Sequence, residues 1–327
     1  MFGTPIEVDT DDAVFRTVWT YAITIKALDG RYKARCICDG SPHSGQARIL
    51  DATYANCVDQ TGGRIFYSVL AAENLLIFGA DVSNAFAEAP PPKQGFYIIP
   101  DKAFLDWWVN HKKRPPIPHG HVIPILSAMQ GHLESPRLWE KHADAILREI
   151  GLEPTTHEPC IYTGTIHGKR VIFLRQVDDF AIATSDPKTA DILLNMLDER
   201  LTIPIKRQGY IDMFNGIDIT QMWDLIKISC KLFIEKYCEK LLTTWMSSYL
   251  MAAACPTPLT CDRSWFKKFN SATDDPDPKK QADLAKSMNL SYRSGVGELI
   301  WAMATCRLHL AYASVKLSQS NRCPHGR

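Results

Sequence analysis

Short runs of apolar residues, separated by polar turns, follow one another along most of the chain, and their spacing predicts helices and strands. Strands are predicted for the β-favouring runs at 18–25, 31–37, 75–81, 95–99, 122–126, 160–166, 171–177, 180–183, 214–219 and 225–228. Helical spacing predicts helices within 51–74, 136–150, 190–201, 232–250 and 295–317. Polar or proline-rich segments at 39–50, 101–120 and 255–287 are expected to be loops, an insertion or linkers.

Two adjacent acids interrupt the apolar pattern in the middle of the chain. Asp178 and Asp179 stand between two predicted strands, which indicates a tight hairpin with both carboxylates at its tip. Two carboxylates side by side repel one another and are stabilised by a divalent cation. An ordinary solvated Asp-Asp turn also fits these residues.

A third carboxylate, Asp81, ends an earlier apolar strand. Three carboxylates on two neighbouring strands could hold two magnesium ions about 3.5–4 Å apart, the arrangement used for phosphoryl transfer. This interpretation requires that Asp81 lie beside Asp178 and Asp179 in the folded chain.

A pair of cations lies near the start of the chain. Lys33 and Arg35 are two residues apart on a predicted strand and therefore project from the same face. Arginine offers a bidentate fork and lysine a point charge, a combination that suits a triphosphate. A basic strand face that only meets solvent is the alternative.

Length and charge limit the possible partners. A chain of 327 residues exceeds one typical domain, so two subdomains, or a domain with an extension, are expected. The 37 basic and 36 acidic residues give a formal net charge of +1, too small a field to steer a polyanion. Contacts with nucleic acid are therefore expected from local basic clusters such as 112–114, 267–268 and 279–280.

Cysteine spacing and the N-terminal residues indicate the compartment. The ten cysteines form no Cys-x-x-Cys pair, which favours free thiols in a reducing compartment over a zinc site. The first residues lack the basic and apolar regions of a secretory signal, and no run is long enough to cross a bilayer. We therefore predict an intracellular protein, cytoplasmic or nuclear, that is neither secreted nor in contact with a membrane.

Six short motifs, in this order, resemble one family. They are Arg31-Tyr-Lys-Ala-Arg35, Asp81-Val-x-x-Ala-Phe86, Gly131-x-x-x-Ser-Pro-Arg137-x-Trp139, Val177-Asp-Asp179, Phe214-x-Gly216-Ile-x-Ile219 and Tyr312-Ala313. Together they resemble the reverse transcriptases of copia-type LTR retrotransposons, the RNA-dependent DNA polymerase domain of a Pol polyprotein. The resemblance covers nearly the whole chain from about residue 19.

The resemblance implies an α+β fold, the right-hand polymerase with fingers and a palm whose antiparallel sheet is backed by helices. On this basis residues 1–75 are expected to form a fingers-like part and residues 76–230 the palm, with 101–120 as an insertion or linker. Residues 231–327 are expected to be a helical extension that resembles a thumb or connection and is truncated before an RNase H domain.

The resemblance also implies an activity and its residues. It implies DNA synthesis from deoxynucleoside triphosphates on a primer, with an RNA or DNA template, and with RNase H and integrase modules acting in trans. Matching residues imply a metal-binding and catalytic role for Asp81, Asp178 and Asp179, with two Mg²⁺ ions or Mn²⁺ in their place. The implied nucleotide-binding residues are Lys33, Arg35, Phe86, Gly131 and Gln176, with Phe86 crowding the ribose 2′-hydroxyl.

Some positions depart from the family pattern. Gln176 stands where the family has tyrosine, and Leu133 and Glu134 replace a lysine and a glutamine. An acid beside an expected polyanion weakens binding. Two alternatives to an active polymerase therefore remain: a degenerate, inactive retrotransposon relic that at most binds nucleic acid, and a two-metal nuclease that uses the same carboxylates.

Overall fold

The computed structural model describes residues 1–7, 13–26, 29–41, 53–222, 225–245, 263–264, 267, 271, 277–288 and 291–320. The chain divides into two compact units, Met1–Tyr210 and Ile211–Arg327. The predicted boundaries between fingers, palm and helical extension, after residues 75 and 230, stay predictions.

In its described residues, the first unit contains two sheets and four helices. Its strands are β1 Val14–Lys26, β2 Asp29–Cys38, β3 Leu76–Asp81, β4 Tyr97–Ile99, β5 Ile123–Pro124, β6 Leu152–Pro154, β7 Ile161–Ile166, β8 Lys169–Gln176, β9 Asp179–Thr184 and β10 Lys206–Tyr210. Its helices are α1 Gln60–Ala72, α2 Lys102–Asn110, α3 Ser135–Glu149 and α4 Pro187–Asp198, with a 3₁₀ turn at Ala85–Glu88. The mixture confirms the α+β class that the resemblance implied.

The larger sheet has six antiparallel strands in the order β10-β3-β9-β8-β7-β6. β8 and β9 form the predicted hairpin, and β3 lies against the other side of β9. This order places the early strand directly beside the hairpin. The sheet therefore joins two segments that lie about a hundred residues apart in the sequence.

The main core lies against the larger sheet. Buried residues of α3 and α4 pack with buried residues of β3, β7, β8 and β9 in one cluster. Its members include Trp139, Phe173, Phe180, Leu193 and Leu197. Trp139 is 1% exposed within this core.

The second sheet of this unit has the order β2-β1-β4-β5 and its own core. Helix α2 contributes Phe104 and Trp108 to that core, so the segment predicted as an insertion or linker holds a helix that buries two aromatic side chains. β1 and β2 are antiparallel, and Asp29 at the start of β2 pairs with Lys26 at the end of β1.

The loop before α3 packs tightly on the end of β2. The Cys38 N–H donates to the Gln130 carbonyl at 2.9 Å. Gly131 has a φ of 97°, and a Cβ at this position would overlap the Cys38 carbonyl. The close approach of two backbones therefore requires a glycine here.

His132 is expected to weaken this part of the fold as the pH falls. Its ring is 6% exposed and stacks on Phe96 with 4.5 Å between ring centroids. Nδ1 accepts the Glu134 N–H, and burial lowers the pKa of His132 to about 4. The unfolded chain binds this proton near pH 6.5, so stability present above that pH is lost between about 6.5 and 4, by up to about 3 kcal/mol.

The test is the free energy of unfolding, from denaturant titration at about pH 7 and about pH 4. Between these pH values the unchanged chain should lose about 3 kcal/mol more than His132→Leu. Replacing the exposed His119 with Gln should leave the loss as it is. Equal losses for the unchanged chain and His132→Leu would contradict the expectation.

The second unit contains a small sheet and helices. Its elements are β11 Met213–Phe214, β12 Ile217–Gln221, β13 Ile226–Ser229, α5 Lys231–Trp245, α6 Pro278–Met288, α7 Tyr292–Thr305, a 3₁₀ turn at Leu308–Leu310 and α8 Ala311–Ser318. The three strands are antiparallel, and β12 and β13 overlap the runs predicted as strands at 214–219 and 225–228.

Helices α5 and α7 contact each other through Lys240 and Glu298, 2.7 Å apart, and through the Phe233 and Trp301 rings.

Two predicted segments of this unit differ from the structure. The run at 295–317 forms α7 and α8 with a break between them, because the Cys306 and Arg307 N–H groups both close on the Ala302 carbonyl and end α7. The segment predicted as a loop or linker includes α6, while most of 246–276 lies outside the described residues. Within the described ranges, no helix combines the length and apolar character of a transmembrane span.

Candidate active site

Three aspartates lie close together at the ends of neighbouring strands in the larger sheet. Asp81, the last residue of β3, pairs directly with Asp179, the first residue of β9. Asp178 occupies the turn before β9, and its carbonyl accepts the Val82 N–H at 2.9 Å. The long-range pairing on which the sequence hypothesis depended is therefore present.

The pKa of Asp179 reflects the nearby charges of the other two aspartates. The pKa of Asp179 is raised, first by burial and then by the negative charges of Asp178 and Asp81. The positive charge of Lys206 acts in the opposite direction and lowers the pKa of Asp179. A third negative charge is thus disfavoured at this edge unless a cation compensates it.

Lys206 is a member of the site that the sequence interpretation missed. It lies on the edge strand β10, directly opposite Asp81. All five residues of β10 are exposed, so the strand has no apolar alternation to mark it in the sequence. Its position next to the carboxylates follows only from the pairing of β10 with β3.

The turn that carries Asp178 is held by α3. Val177 has a positive φ of 56°, and its carbonyl accepts the indole N–H of Trp139 at 2.7 Å. Val177 and Phe86 also pack against the main core. The carboxylates are therefore attached to the most buried part of the unit.

A buried charge network lies under the same hairpin. Arg175 on β8 is 1% exposed, and its guanidinium lies 3.4 Å from Oε1 of Glu140. The other oxygen of Glu140 accepts from Arg137 at 2.6 Å, and Oε1 also accepts from Asn56. A buried charge is tolerated only when paired in this way, so Glu140 ties α3 to the strand that leads to the turn.

The predicted nucleotide-binding residues lie in several places. Lys33 and Arg35 are exposed on β2, in the smaller sheet, and share a strand face as predicted. Phe86 is half-buried in the 3₁₀ turn after β3, and Gly131 lies in the loop packed on β2. The Gln176 side chain accepts the Val58 N–H at 3.2 Å, beside the acid pair. Their roles toward a nucleotide stay predictions.

Among the residues that the structure describes, no three acidic, histidine or cysteine side chains are gathered into a metal-ligand cluster. The three aspartates are therefore neighbours through the pairing of Asp81 with Asp179 and the hydrogen bond from Val82 to Asp178, and their side chains do not form a ready metal-ligand set. Carboxylate oxygens are nonetheless the ligands that Mg²⁺ takes in proteins, usually one or two per ion.

The sequence matches a known family profile over most of its length. The profile described as reverse transcriptase (RNA-dependent DNA polymerase) matches residues 6–252. A Saccharomyces cerevisiae protein described as a transposon Ty5-1 protein is 24% identical over 205 residues. That match covers 62% of this chain and 60% of the yeast protein, so the chain spans about 60% of the length of this relative.

Two solved structures are also similar. Telomerase from Candida albicans, in complex with a TWJ fragment of telomeric RNA, matches at a TM-score of 0.37 with 9% identity, over 97% of this chain and 61% of that one. Prototype foamy virus protease-reverse transcriptase matches at 0.30 with 15% identity, over 80% and 33%. Both TM-scores are low, so the family assignment rests on the sequence profile.

Proposed function

Because the chain belongs to the reverse transcriptase (RNA-dependent DNA polymerase) family, we propose that it extends a primer 3′-hydroxyl with deoxynucleoside triphosphates on an RNA or DNA template. The predicted identity as a retrotransposon reverse transcriptase domain of the copia type is confirmed by the family match and the transposon relative. The observation that carries the proposed chemistry is the direct pairing of Asp81 with Asp179, beside Asp178.

The residues fit a pair of magnesium ions. Three hard carboxylates lie next to one another in the sheet, and the pKa of Asp179 is raised first by burial and then by the charges of Asp178 and Asp81, so a divalent cation would relieve the repulsion. Two Mg²⁺ ions held by Asp81, Asp178 and Asp179, or Mn²⁺ in their place, would lower the pKa of the primer 3′-hydroxyl and neutralise the pyrophosphate leaving group.

Other side chains would bind and select the nucleotide. Lys33 and Arg35 present two exposed cations on one strand face, which suits the triphosphate. Lys206 adds a positive charge beside the carboxylates. Substituting each of these residues with an uncharged one, and then titrating the nucleotide, would measure the contribution of each charge separately.

Primer extension on an RNA template tests the proposal. Purified chain, labelled primer, deoxynucleoside triphosphates and Mg²⁺ should give extended product, and chelation of Mg²⁺ should stop it. Incubation of the same duplex without nucleotides should leave it intact, whereas a two-metal nuclease would cleave it. Cleavage without synthesis would replace the polymerase with the two-metal nuclease.

Phe86 is expected to exclude ribonucleotides. Its ring is half-buried in the turn that follows Asp81, and the family resemblance implies that this position lies against the nucleotide sugar. Phe86→Ala should raise kcat/KM for ribonucleotides relative to deoxynucleotides by about 10- to 100-fold, since a steric barrier of this size is worth about 1–3 kcal/mol. Single-nucleotide incorporation with both sugars measures the ratio.

The matched control for this prediction is Phe86→Tyr, which retains the ring and should retain the discrimination. Unchanged discrimination in Phe86→Ala would make Phe86 a core aromatic only.

A second candidate function is nucleic-acid binding without synthesis. It is favoured by Leu133, which is 42% exposed where the family has a lysine, and by the adjacent Glu134. Loss of a cation and gain of an acid weaken contact with a polyanion or nucleotide. Retained duplex binding without extended product in the primer-extension assay would support this candidate.

A further inference from the structure

The turn that carries Asp178 has an unfavourable backbone conformation. Val177 adopts a φ of 56°, in the left-handed region, although it is β-branched. In a two-residue hairpin turn this position usually holds glycine. Such a conformation costs about 1–3 kcal/mol and persists only when surrounding contacts hold it.

Helix α3 supplies the contact that holds it. Trp139 is 1% exposed, and its Nε1 donates to the Val177 carbonyl at 2.7 Å. The carbonyl belongs to the peptide bond that joins Val177 to Asp178, so its direction sets the orientation of the Asp178 backbone. In turn, the Asp178 carbonyl accepts the Val82 N–H, next to Asp81.

The next residue of α3 reinforces the same attachment. Glu140 pairs with Arg175, which is two residues before Val177 on β8. Both side chains are buried, so two adjacent residues of α3 hold the helix against the hairpin. Trp139 is the one that reaches the turn itself.

We propose that Trp139 is a positioning residue for the catalytic carboxylates. Its indole N–H holds the left-handed turn at Val177 and so keeps Asp178 beside Asp81. Trp139 acts through the turn and does not touch the substrate. The kinetic consequence rests on the proposed polymerase function, whereas the effect on the turn does not.

The variant Trp139→Phe removes the donor and keeps an aromatic side chain. It should lower kcat for primer extension about ten-fold, which corresponds to one lost hydrogen bond, and leave the KM for the nucleotide unchanged. Amide hydrogen exchange measured on a peptide that spans 172–184 should also become faster, because the turn opens more often.

Trp108 provides a matched control. It is 3% exposed, and its indole N–H donates to the Pro115 carbonyl at 3.0 Å, within the other core of the unit. Trp108→Phe therefore loses an equivalent bond away from the carboxylates. It should leave kcat and exchange in 172–184 unchanged.

Rescue distinguishes positioning from general packing. Glycine has no Cβ and adopts a positive φ without steric cost, so Val177→Gly lowers the need for the hydrogen bond from Trp139. The double variant Trp139→Phe with Val177→Gly should regain most of the kcat that Trp139→Phe loses. A packing defect in the core would not be relieved by this change.

A kcat loss and faster exchange in Trp139→Phe alone, with rescue, support the proposal. Unchanged kcat and exchange, or equal losses in Trp139→Phe and Trp108→Phe, overturn it. If the unchanged chain makes no product, the proposed function fails, and the exchange comparison alone decides: faster exchange only in Trp139→Phe supports positioning, and equal exchange overturns it.

Discussion

Asp178→Asn is expected to abolish primer extension, with at least about a thousand-fold loss of kcat, while the fold remains intact. Asp178 lies in the hairpin turn and is half-buried, so its carboxylate adds little to the core. Its charge raises the pKa of Asp179, so removing that charge relieves repulsion. The unfolding free energy should therefore stay within about 1 kcal/mol of that of the unchanged chain or rise slightly.

The second readout for Asp178→Asn is stabilisation by Mg²⁺. Ligand that binds only the folded state raises the unfolding temperature, so the unchanged chain should be stabilised by millimolar Mg²⁺ and Asp178→Asn much less so. Asp283→Asn, on the exposed face of α6, is the control and should match the unchanged chain in both assays. Normal synthesis by Asp178→Asn would make the metal assignment wrong.

The local pattern of apolar and polar residues was enough to predict the parts of the site that lie on apolar strands or in the turn between them. The hairpin around Asp178 and Asp179 follows from two apolar strands that flank a polar turn, and Asp81 follows from an apolar strand that ends in an acid. The pairing of Asp81 with Asp179 does not follow from either segment. It depends on a register between distant strands, which only the complete sheet specifies.

The residues that were missed have environments that local pattern does not reveal. Lys206 lies on an exposed edge strand without alternation. Trp139 lies on an amphipathic helix, but the partner of its indole N–H is a turn 38 residues away. Glu140 and Arg175 are charged, which predicts exposure, yet they are buried because they pair with each other.

Helix α2 was also hidden by its surroundings in the sequence. It occupies Lys102–Asn110 within a segment whose basic run and prolines are typical of a linker. The Asp101 side chain accepts the Phe104 N–H at 2.8 Å and caps the helix. Burial of Phe104 and Trp108 then supplies the stabilisation that a nine-residue helix lacks by itself.

Gly131→Ala is expected to destabilise the first unit by about 3–5 kcal/mol, the largest stability effect among the changes considered. Two costs add. The backbone φ of 97° disfavours any side chain, and the new Cβ would overlap the Cys38 carbonyl, a backbone group that cannot rotate away. Denaturant unfolding measures the loss.

Gly151→Ala measures the backbone cost by itself, so that the cost of the Cβ overlap at Gly131 can be obtained by difference. Gly151 has a φ of 93° with no atom within 4 Å of an added Cβ, so its substitution should cost only about 1 kcal/mol. The difference between the two variants then reports the contact of Gly131 with β2. A Gly131→Ala chain that unfolds like Gly151→Ala, but binds deoxynucleoside triphosphate more weakly, would contradict the packing argument. It would instead favour the nucleotide contact that the family resemblance implies for Gly131, because steric exclusion of a ligand changes the KM and leaves unfolding unaffected.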